Sequence, residues 1–386
     1  MLNYLKYNLT NWVDGMKIHK AHFIDSENAL LEAITDVHGS LLNTYNYGLL
    51  EPAPDEPASL DVKVIRSQSD SFLIELHACR AVTLGGTRIE IVPNGDNKIS
   101  LDGKTSLSKI TNTANNDARY YAIISVDYFN REPFGERMPG EEPFRHPYRK
   151  PSYTLHIVPE DQVVVKNFGS FNFPVARFLT RGYDLVEDKE YIPPCATVKA
   201  HIGMKNIFQN VYNLYSNMQQ YAYNVIKKVT VNKQNTALAI NVKNLCQQTV
   251  SFLAPTFFEL RTILPQQPPV YLAHNIVKLV NTIKVAIDCL PENEKDEMLA
   301  YFNDWIDLNP TAFKDMLSNA ADAQYTHTNI NQSFTALVFF CTKWESLLNQ
   351  LSEKTKIIGE RKREQGPGLI VGQKETDNNK RFVMFD

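Results

Sequence analysis

The sequence predicts an α+β protein in which an N-terminal antiparallel β-sandwich is followed by an α-helical bundle. Between the Pro-rich segment 51–59 and residue 190, apolar residues alternate with polar ones in short segments bounded by turn residues, a pattern typical of antiparallel strands. Beyond Pro193-Pro194-Cys195 the apolar residues instead recur every three to four positions, which is the helical period. Only short breaks separate the helical stretches, so neighbouring helices are expected to pack antiparallel.

Length and charge narrow the class of protein. The chain has 386 residues, more than one hydrophobic core usually supports. We expect three parts: residues 1–194, the sandwich with one leading helix; residues 195–355, the bundle; and residues 356–386, a short C-terminal tail. The formal net charge of -3 at pH 7 argues against nucleic acid or an anionic membrane as a partner.

The cysteines and the apolar segments predict the compartment. Five cysteines are scattered singly along the chain, which suits neither a disulfide framework nor a zinc ribbon and favours a reducing environment. The first residues contain no apolar core of signal-peptide length, and no window is long and apolar enough for a transmembrane helix. We therefore expect a cytoplasmic protein with no direct membrane insertion.

The first helix is expected from Ser26 to about Thr44. Ser26 is a suitable N-cap residue, and the apolar residues that follow it recur at three-to-four spacing. They are Ala29, Leu30, Ile34, Val37, Leu41 and Leu42. The pattern indicates one amphipathic helix ahead of the strands.

Strands are expected from residue 72 to residue 180. Phe72, Ile74, Leu76 and Ala78 alternate along the chain, and further strand segments are TRIEIV at 87–92, RYYAIISVDYF at 119–129, SYTLHIV at 152–158 and SFNFPVARFLT at 170–180. Turn residues separate them in LGG, PNGDNK and NTANND. The insert at 131–151 is rich in Pro and charge and is expected to be an extended surface loop, either a contact arm or a long connection.

The helix that follows residue 200 carries a coiled-coil pattern. Its apolar residues recur at alternating spacings of four and three, and they are Ile207, Val211, Leu214, Met218, Tyr221 and Val225. Either they form a seam between chains, or they form the core of a bundle within one chain. As a seam, the candidate residues for the contact between chains are Ile207, Val211, Leu214, Met218 and Val225. Further helices are expected at 236–262, with a kink at Pro255, and at 269–290, 293–320 and 328–355.

The sequence contains none of the common catalytic motifs. Phosphate-binding and dinucleotide-binding glycine loops, the nucleophile elbow and the zinc-protease motif are all missing. His19, His22 and Asp25 have a spacing that allows metal ligation, but no second His or Cys cluster completes such a site, so surface hydrogen bonding is the expected role. We predict no catalytic residue, no cofactor and no metal; the alternative is a carbohydrate-active sandwich enzyme with a helical appendage.

Four stretches resemble one known family. The opening motif with Trp12, Asp14, Gly15, Met16, Ile18, His22 and Phe23 resembles the start of the TssK family, the baseplate adaptors of the bacterial type VI secretion system. The segment FPVARFLTRGYDLVEDKEYIPPC at 173–195 resembles the family's junction into its helices, and the segments at 268–283 and 325–348 are similar to its bundle helices. Lys20-Ala21 stands where the family usually has Pro-Gln.

The resemblance implies a function and partners. Such a protein is a homotrimer with a β-sandwich shoulder, a helical neck and a C-terminal head. The seam residues of the helix after residue 200 are then expected to form the trimer contact. The shoulder binds the baseplate wedge subunits TssF and TssG, while the head contacts the membrane complex at the cytoplasmic face of the inner membrane. Because only the segment 356–386 follows the last bundle helix, we expect a divergent subtype like that of the Bacteroidota, with a different membrane-side contact. The alternative is a fibre adaptor of a phage tail or another contractile injection system.

The resemblance also suggests a docking site. We expect Trp12, Met16, Ile18 and Phe23 to be apolar anchors for the wedge, presented by a turn at Asp14-Gly15. The alternative is that Trp12 and Phe23 pack the first helix onto the sandwich, as hydrophobic residues at a helix start often do.

Overall fold

A computed structural model describes residues 4–66, 72–92, 99–101, 118–163, 171–181 and 184–359. The turn residues expected at 93–98 and 112–117, and nearly all of the tail, lie outside the described residues. Nine strands and seven α-helices are assigned within these ranges.

The strands form two antiparallel sheets. The first contains β1 (Gly48–Leu49), β2 (Leu60–Arg66), β3 (Phe72–Val82), β4 (Arg88–Ile91) and β5 (Ile99–Leu101), with β3 pairing with each of the others. The second contains β6 (Arg119–Phe134), β7 (Tyr148–Pro159), β8 (Asn172–Arg181) and β9 (Asp184–Glu187), in the order β7-β6-β8-β9. Strands β1, β2, β5 and β9 were not predicted from the sequence.

The two sheets share one buried core. Ile74 and Leu76 of β3 and Ile89 of β4 are fully buried, and they belong to the same cluster as Ile124 of β6 and Phe173 of β8. Removing apolar surface from water on both inner faces holds the sheets together. The α+β class and the two-sheet arrangement predicted from the sequence are confirmed.

Strands β6 and β7 extend into the insert at 131–151 from both ends, so the loop prediction was wrong for residues 131–134 and 148–151. After an irregularity between Asp127 and Arg131, pairing resumes and runs from Arg131↔Pro151 to Phe134↔Tyr148. Only residues 135–147 lie outside the strands. The Pro and charged residues of this insert are typical of loops, so the sequence did not indicate strands here. Strand β7 lies at the edge of its sheet, where both residue types are tolerated.

The bundle consists of six helices. They are α2 (Ile202–Val231), α3 (Ala237–Phe258), α4 (Pro269–Asp288), α5 (Glu292–Asn303), α6 (Pro310–Ala321) and α7 (Ile330–Glu353). The single helix predicted at 293–320 is in fact two, because Pro310 begins a new helix and the side-chain oxygen of Asn309 accepts a hydrogen bond from the Ala312 amide, 2.8 Å away. Helix α3 contains Pro255 and ends at Phe258, and the chain continues as a π-helical turn at Glu259–Ile263.

The first helix, α1 (Lys20–Ser40), begins six residues before the predicted start. His19 is its N-cap residue, and the backbone amide of His19 donates to Nδ1 of His22 at 3.2 Å. Ser26 therefore lies inside the helix, where its hydroxyl donates to the Thr10 hydroxyl oxygen at 2.8 Å. A histidine cap is uncommon, which is why the serine was the better prediction from sequence.

Candidate docking surface of the N-terminal segment and first helix

The segment before α1 lies along the helix as an extended chain. The backbone amides of Lys6 and Tyr7 donate to the Glu32 carboxylate at 2.9 and 2.7 Å, and the Thr10 hydroxyl donates to the His22 carbonyl at 3.0 Å. The Tyr7 ring packs on Phe129 of the second sheet, with ring centroids 4.6 Å apart. The hydrogen bonds fix the segment to α1 at two points, and the ring contact fixes it to the second sheet.

A tight turn separates this segment from the helix. The Met16 amide donates to the Val13 carbonyl at 3.1 Å, and Gly15 has a φ of +78°, which favours glycine at the third position of such a turn. The turn expected at Asp14-Gly15 is therefore present. Asp14 and Gly15 are exposed and Met16 is partly buried.

The turn places the predicted anchors beside one another on the surface. The Trp12 ring lies 6.1 Å from Phe23 and 6.0 Å from His22, measured between centroids. Trp12 is 51% exposed, Phe23 54% and Ile18 59%. Trp12 thus packs on the start of α1 while about half of its surface stays available to a partner.

The histidines near this turn form hydrogen bonds and ring contacts. His19 and His22 have ring centroids 5.7 Å apart, and Nδ1 of His22 is used by the His19 amide. Within the described part of the chain, no group of three or more His, Cys, Asp or Glu residues is arranged to hold a metal ion.

Helix α1 is held on the sandwich by small and polar residues. Its buried residues are Asn28, Ala29 and Gly39. A Cβ added at Gly86, in the turn between β3 and β4, would lie 2.5 Å from the Gly39 amide nitrogen, so the turn and the helix approach as closely as backbones allow. Close packing on this side leaves the opposite face of α1 uncovered.

Arg131 of the β6–β7 hairpin ties that hairpin to α1. Its guanidinium donates to the Glu27 carboxylate and to the Asn28 side-chain oxygen, both at 3.0 Å. A cleft of about 900 Å³ lies between the helix and the hairpin. It is lined by Lys20, Phe23, Ile24, Glu27, Arg131, Pro133, Arg145, His146, Pro147, Tyr148 and Arg149. Four of these side chains are cationic and one is a carboxylate, so the cleft favours acidic groups.

The periodicity of α1 did not reveal which face is buried. Ala29 is buried as expected, but Leu30, Ile34, Val37 and Leu41 are between 57% and 72% exposed. The helical spacing showed that these residues share a face, and a single helix does not indicate what covers that face. Arg131 was likewise not identified as a contact of α1, because it lies 103 residues from Asn28 in sequence.

The coiled-coil pattern of α2 is accounted for largely within one chain. Val211, Met218 and Val225 are completely buried against other helices, as the bundle-core alternative predicts. Ile207 and Leu214 remain partly exposed. A contact between chains through this helix stays a prediction.

Among the helices that the structure describes, none combines the length and the hydropathy needed to span a bilayer.

Comparison with known proteins gives matches among solved structures alone. No family model matches the chain, and no curated protein matches it. A chain of the solved baseplate complex from the type VI secretion system aligns with a TM-score of 0.50 and 14% identity, covering 90% of this chain and 100% of that chain.

Two further solved structures align less closely. A crystal structure of TssK gives a TM-score of 0.49 and 13% identity, covering 90% of this chain and 70% of that chain. TssK from the T6SS of EAEC, in complex with nanobody nb18, gives a TM-score of 0.47 and 14% identity, covering 83% of this chain and 99% of that chain. The alignment to the baseplate chain shows a common fold along nearly the whole of both chains, which confirms the fold that the sequence resemblance implied.

Proposed function

We propose that this chain is a structural baseplate component of a type VI secretion system, of the TssK kind. In this role a homotrimer joins the wedge subunits TssF and TssG to the membrane-anchoring complex at the cytoplasmic face of the inner membrane. The observation that carries the proposal is the shared fold with a chain of a type VI baseplate complex, over 90% of this chain and 100% of that one. A solved TssK-TssF-TssG baseplate subcomplex supplies the partners proposed here.

The parts of the chain have corresponding roles in this proposal. Residues 1–194 are the shoulder that binds the wedge, residues 195–355 are the neck, and residues 356–386 are a tail in the place of a head. The role is mechanical and requires no catalytic group, so we propose that the protein is not an enzyme.

The docking surface supports wedge binding by the shoulder. Trp12, Ile18 and Phe23 are large apolar side chains that stay more than half exposed. The segment that carries Trp12 is held to α1 by hydrogen bonds, so little conformational freedom is lost on binding. Rigid, exposed aromatic residues of this kind commonly supply most of the binding energy of an interface.

Co-expression with TssF and TssG from the same genome tests the proposal. The wild-type chain is expected to co-purify with both wedge subunits, and failure to form any complex would contradict the function. Trp12→Ala and Phe23→Ala are expected to weaken the complex at least about 30-fold, as loss of a binding hot spot does, while the thermal unfolding midpoint is retained.

Phe258→Ala is the matched control, because Phe258 is an aromatic residue of the bundle with 61% exposure. If both shoulder variants bind the wedge as tightly as this control, the docking site is misplaced although the function stands. A lowered unfolding midpoint with intact binding would instead assign Trp12 to packing.

A further inference from the structure

The uncovered face of α1 carries an apolar stripe. Its members are Phe23, Leu30, Ile34, Val37 and the C-cap residue Leu41, with exposures of 54%, 57%, 64%, 64% and 72%. One residue of a helix advances about 100°, so the five side chains fall within an arc of about 60°. An exposed apolar surface of this size is unusual on a protein that works alone and marks a contact with another molecule.

The spacing of the stripe suits a contact with copies of itself. Leu30, Ile34, Val37 and Leu41 follow one another at four, three and four residues, which is the repeat of positions that interlock between parallel helices. Phe23 precedes Leu30 by seven residues and extends the same repeat. The stripe on α1 therefore has the pattern that the sequence also showed on α2, but here the side chains are free to reach another chain.

The charges of α1 favour the same occupant. Asp25, Glu32 and Asp36 lie on the far side of the helix from the stripe, by the helical period. Glu27 borders the stripe, and Arg131 of the same chain pairs with it at 3.0 Å. Ser26, Ala33 and His38 flank the middle of the stripe and bring no carboxylate or ammonium group. Along Leu30 to Leu41, identical helices can thus approach without like charges meeting, while Lys20 flanks Phe23 outside this contact. A rim of one charge would instead be expected against a partner of opposite charge.

We propose that the part of this stripe beyond Phe23 is the contact between copies of the chain, with Leu30, Ile34, Val37 and Leu41 of each copy interlocking around a common axis. The inference rests on the proposed function for the number of copies, three. In this proposal the contact between chains lies on α1 and not on α2, and the apolar repeat of α2 packs in the core of each bundle. The cleft beside Phe23 and the segment with Trp12 remain free for the wedge.

Native mass measured by light scattering after size exclusion, over a dilution series, tests the contact. The wild-type chain is expected to be a trimer, and Val37→Asp is expected to raise the concentration at which half the chains are assembled by at least about 100-fold, because a carboxylate in an apolar contact is costly. Val231→Asp is the matched control: Val231 ends α2 with 77% exposure, and its variant should stay trimeric. A trimeric Val37→Asp, or a wild-type chain that is monomeric at every concentration, would overturn the inference.

A second measurement does not depend on a destabilising charge. Of the five cysteines, Cys289 alone is exposed, so Cys289→Ser gives a background with no accessible thiol. In it, Val37→Cys is expected to form a covalent dimer under a short thiol crosslinker, and Val231→Cys is not. Equal crosslinking of both variants, or none, would contradict the proposal.

Wedge binding by the same variants separates this inference from the proposed function. A monomeric Val37→Asp chain that still binds TssF and TssG supports a contact between copies. If Val37→Asp stays trimeric and loses the wedge, the stripe belongs to the wedge and the inference fails while the function stands.

Discussion

His327 donates a hydrogen bond from Nε2 to the backbone carbonyl of Tyr47, 2.8 Å away and 280 residues earlier in the chain. A carbonyl oxygen only accepts, so the proton is on Nε2, and Nδ1 accepts from the Tyr325 hydroxyl at 2.7 Å. The imidazole also packs edge-on against the Tyr47 ring. This neutral, buried histidine joins the start of the last bundle helix to the entry of the sandwich, and burial lowers the pKa of His327 to about 4.

The lowered pKa of His327 predicts loss of stability in acid. Above pH 6.5 this side chain is neutral in both the folded and the unfolded chain, so its contribution to the free energy of unfolding is constant. Between pH 6.5 and about 4 the unfolded chain binds a proton there and the folded chain does not, so the free energy of unfolding falls as the pH is lowered. We expect a loss of roughly 3 kcal/mol from this residue by pH 4, measured by urea denaturation.

His327→Gln is the control for this effect. The amide of Gln can donate to the Tyr47 carbonyl but does not titrate. Burial also lowers the pKa of His201 to about 4, so His201 titrates over the same pH range in wild type and in His327→Gln. The difference between their free energies of unfolding at each pH therefore reports His327 alone. Parallel pH profiles for wild type and variant would exclude the assignment.

Gly48 is expected to tolerate no side chain. Its φ is +122°, and a Cβ there would lie 2.2 Å from the Pro194 carbonyl oxygen, where the strand β1 meets the segment entering the bundle. Gly48→Ala should lower the free energy of unfolding by more than about 3 kcal/mol, because backbone on both sides must move. Gly140→Ala is the comparison, since Gly140 has a φ of +91° with open space around it and should cost only about 1 kcal/mol. Equal effects in thermal unfolding would mean that the junction is not closely packed.

Lys228 closes the far end of the bundle. Its Nζ donates to the carbonyls of Leu351, Ser352 and Thr355 at 2.8, 2.7 and 2.5 Å, and so satisfies carbonyls that the end of α7 leaves without helical partners. Lys228→Met should destabilise the chain by about 1–3 kcal/mol and speed amide exchange over the last turn of α7. Its neighbour Lys227 is exposed, and Lys227→Met should change neither quantity. Unchanged exchange in Lys228→Met would show that the ammonium group does not hold this end.

Much of the fold follows from local patterns that the sequence displays. The period-two segment from Phe72 to Ala78 lies in a strand, and α4 and α5 begin at or next to a Pro residue. The errors occur where a local signal competes with tertiary contact. Ser26 is a good N-cap residue, but packing of the segment around Thr10 lets α1 start at Lys20.

The docking surface was predicted less completely than the fold. A periodic pattern shows which residues share a face of a helix, but it does not show whether that face is exposed or buried. The turn at Asp14-Gly15 was correct, since it depends on a glycine in its own segment. The patterns on α1 and α2 look alike in sequence, yet Met218 is fully buried and Val37 is 64% exposed. What separates them is the packing of the neighbouring helices, which no spacing within α1 or α2 encodes.

Substitution in α2 distinguishes a core from a contact between chains. Met218 is completely buried within one chain, so Met218→Ala should leave a cavity and lower the free energy of unfolding by about 2–5 kcal/mol at any protein concentration. Leu214 is partly exposed, and Leu214→Ala should cost less within the chain. Urea denaturation at low and high protein concentration checks both expectations. If the loss in Met218→Ala changes with protein concentration, the residue contributes to association and not to the core alone, since only contacts between chains make stability depend on concentration.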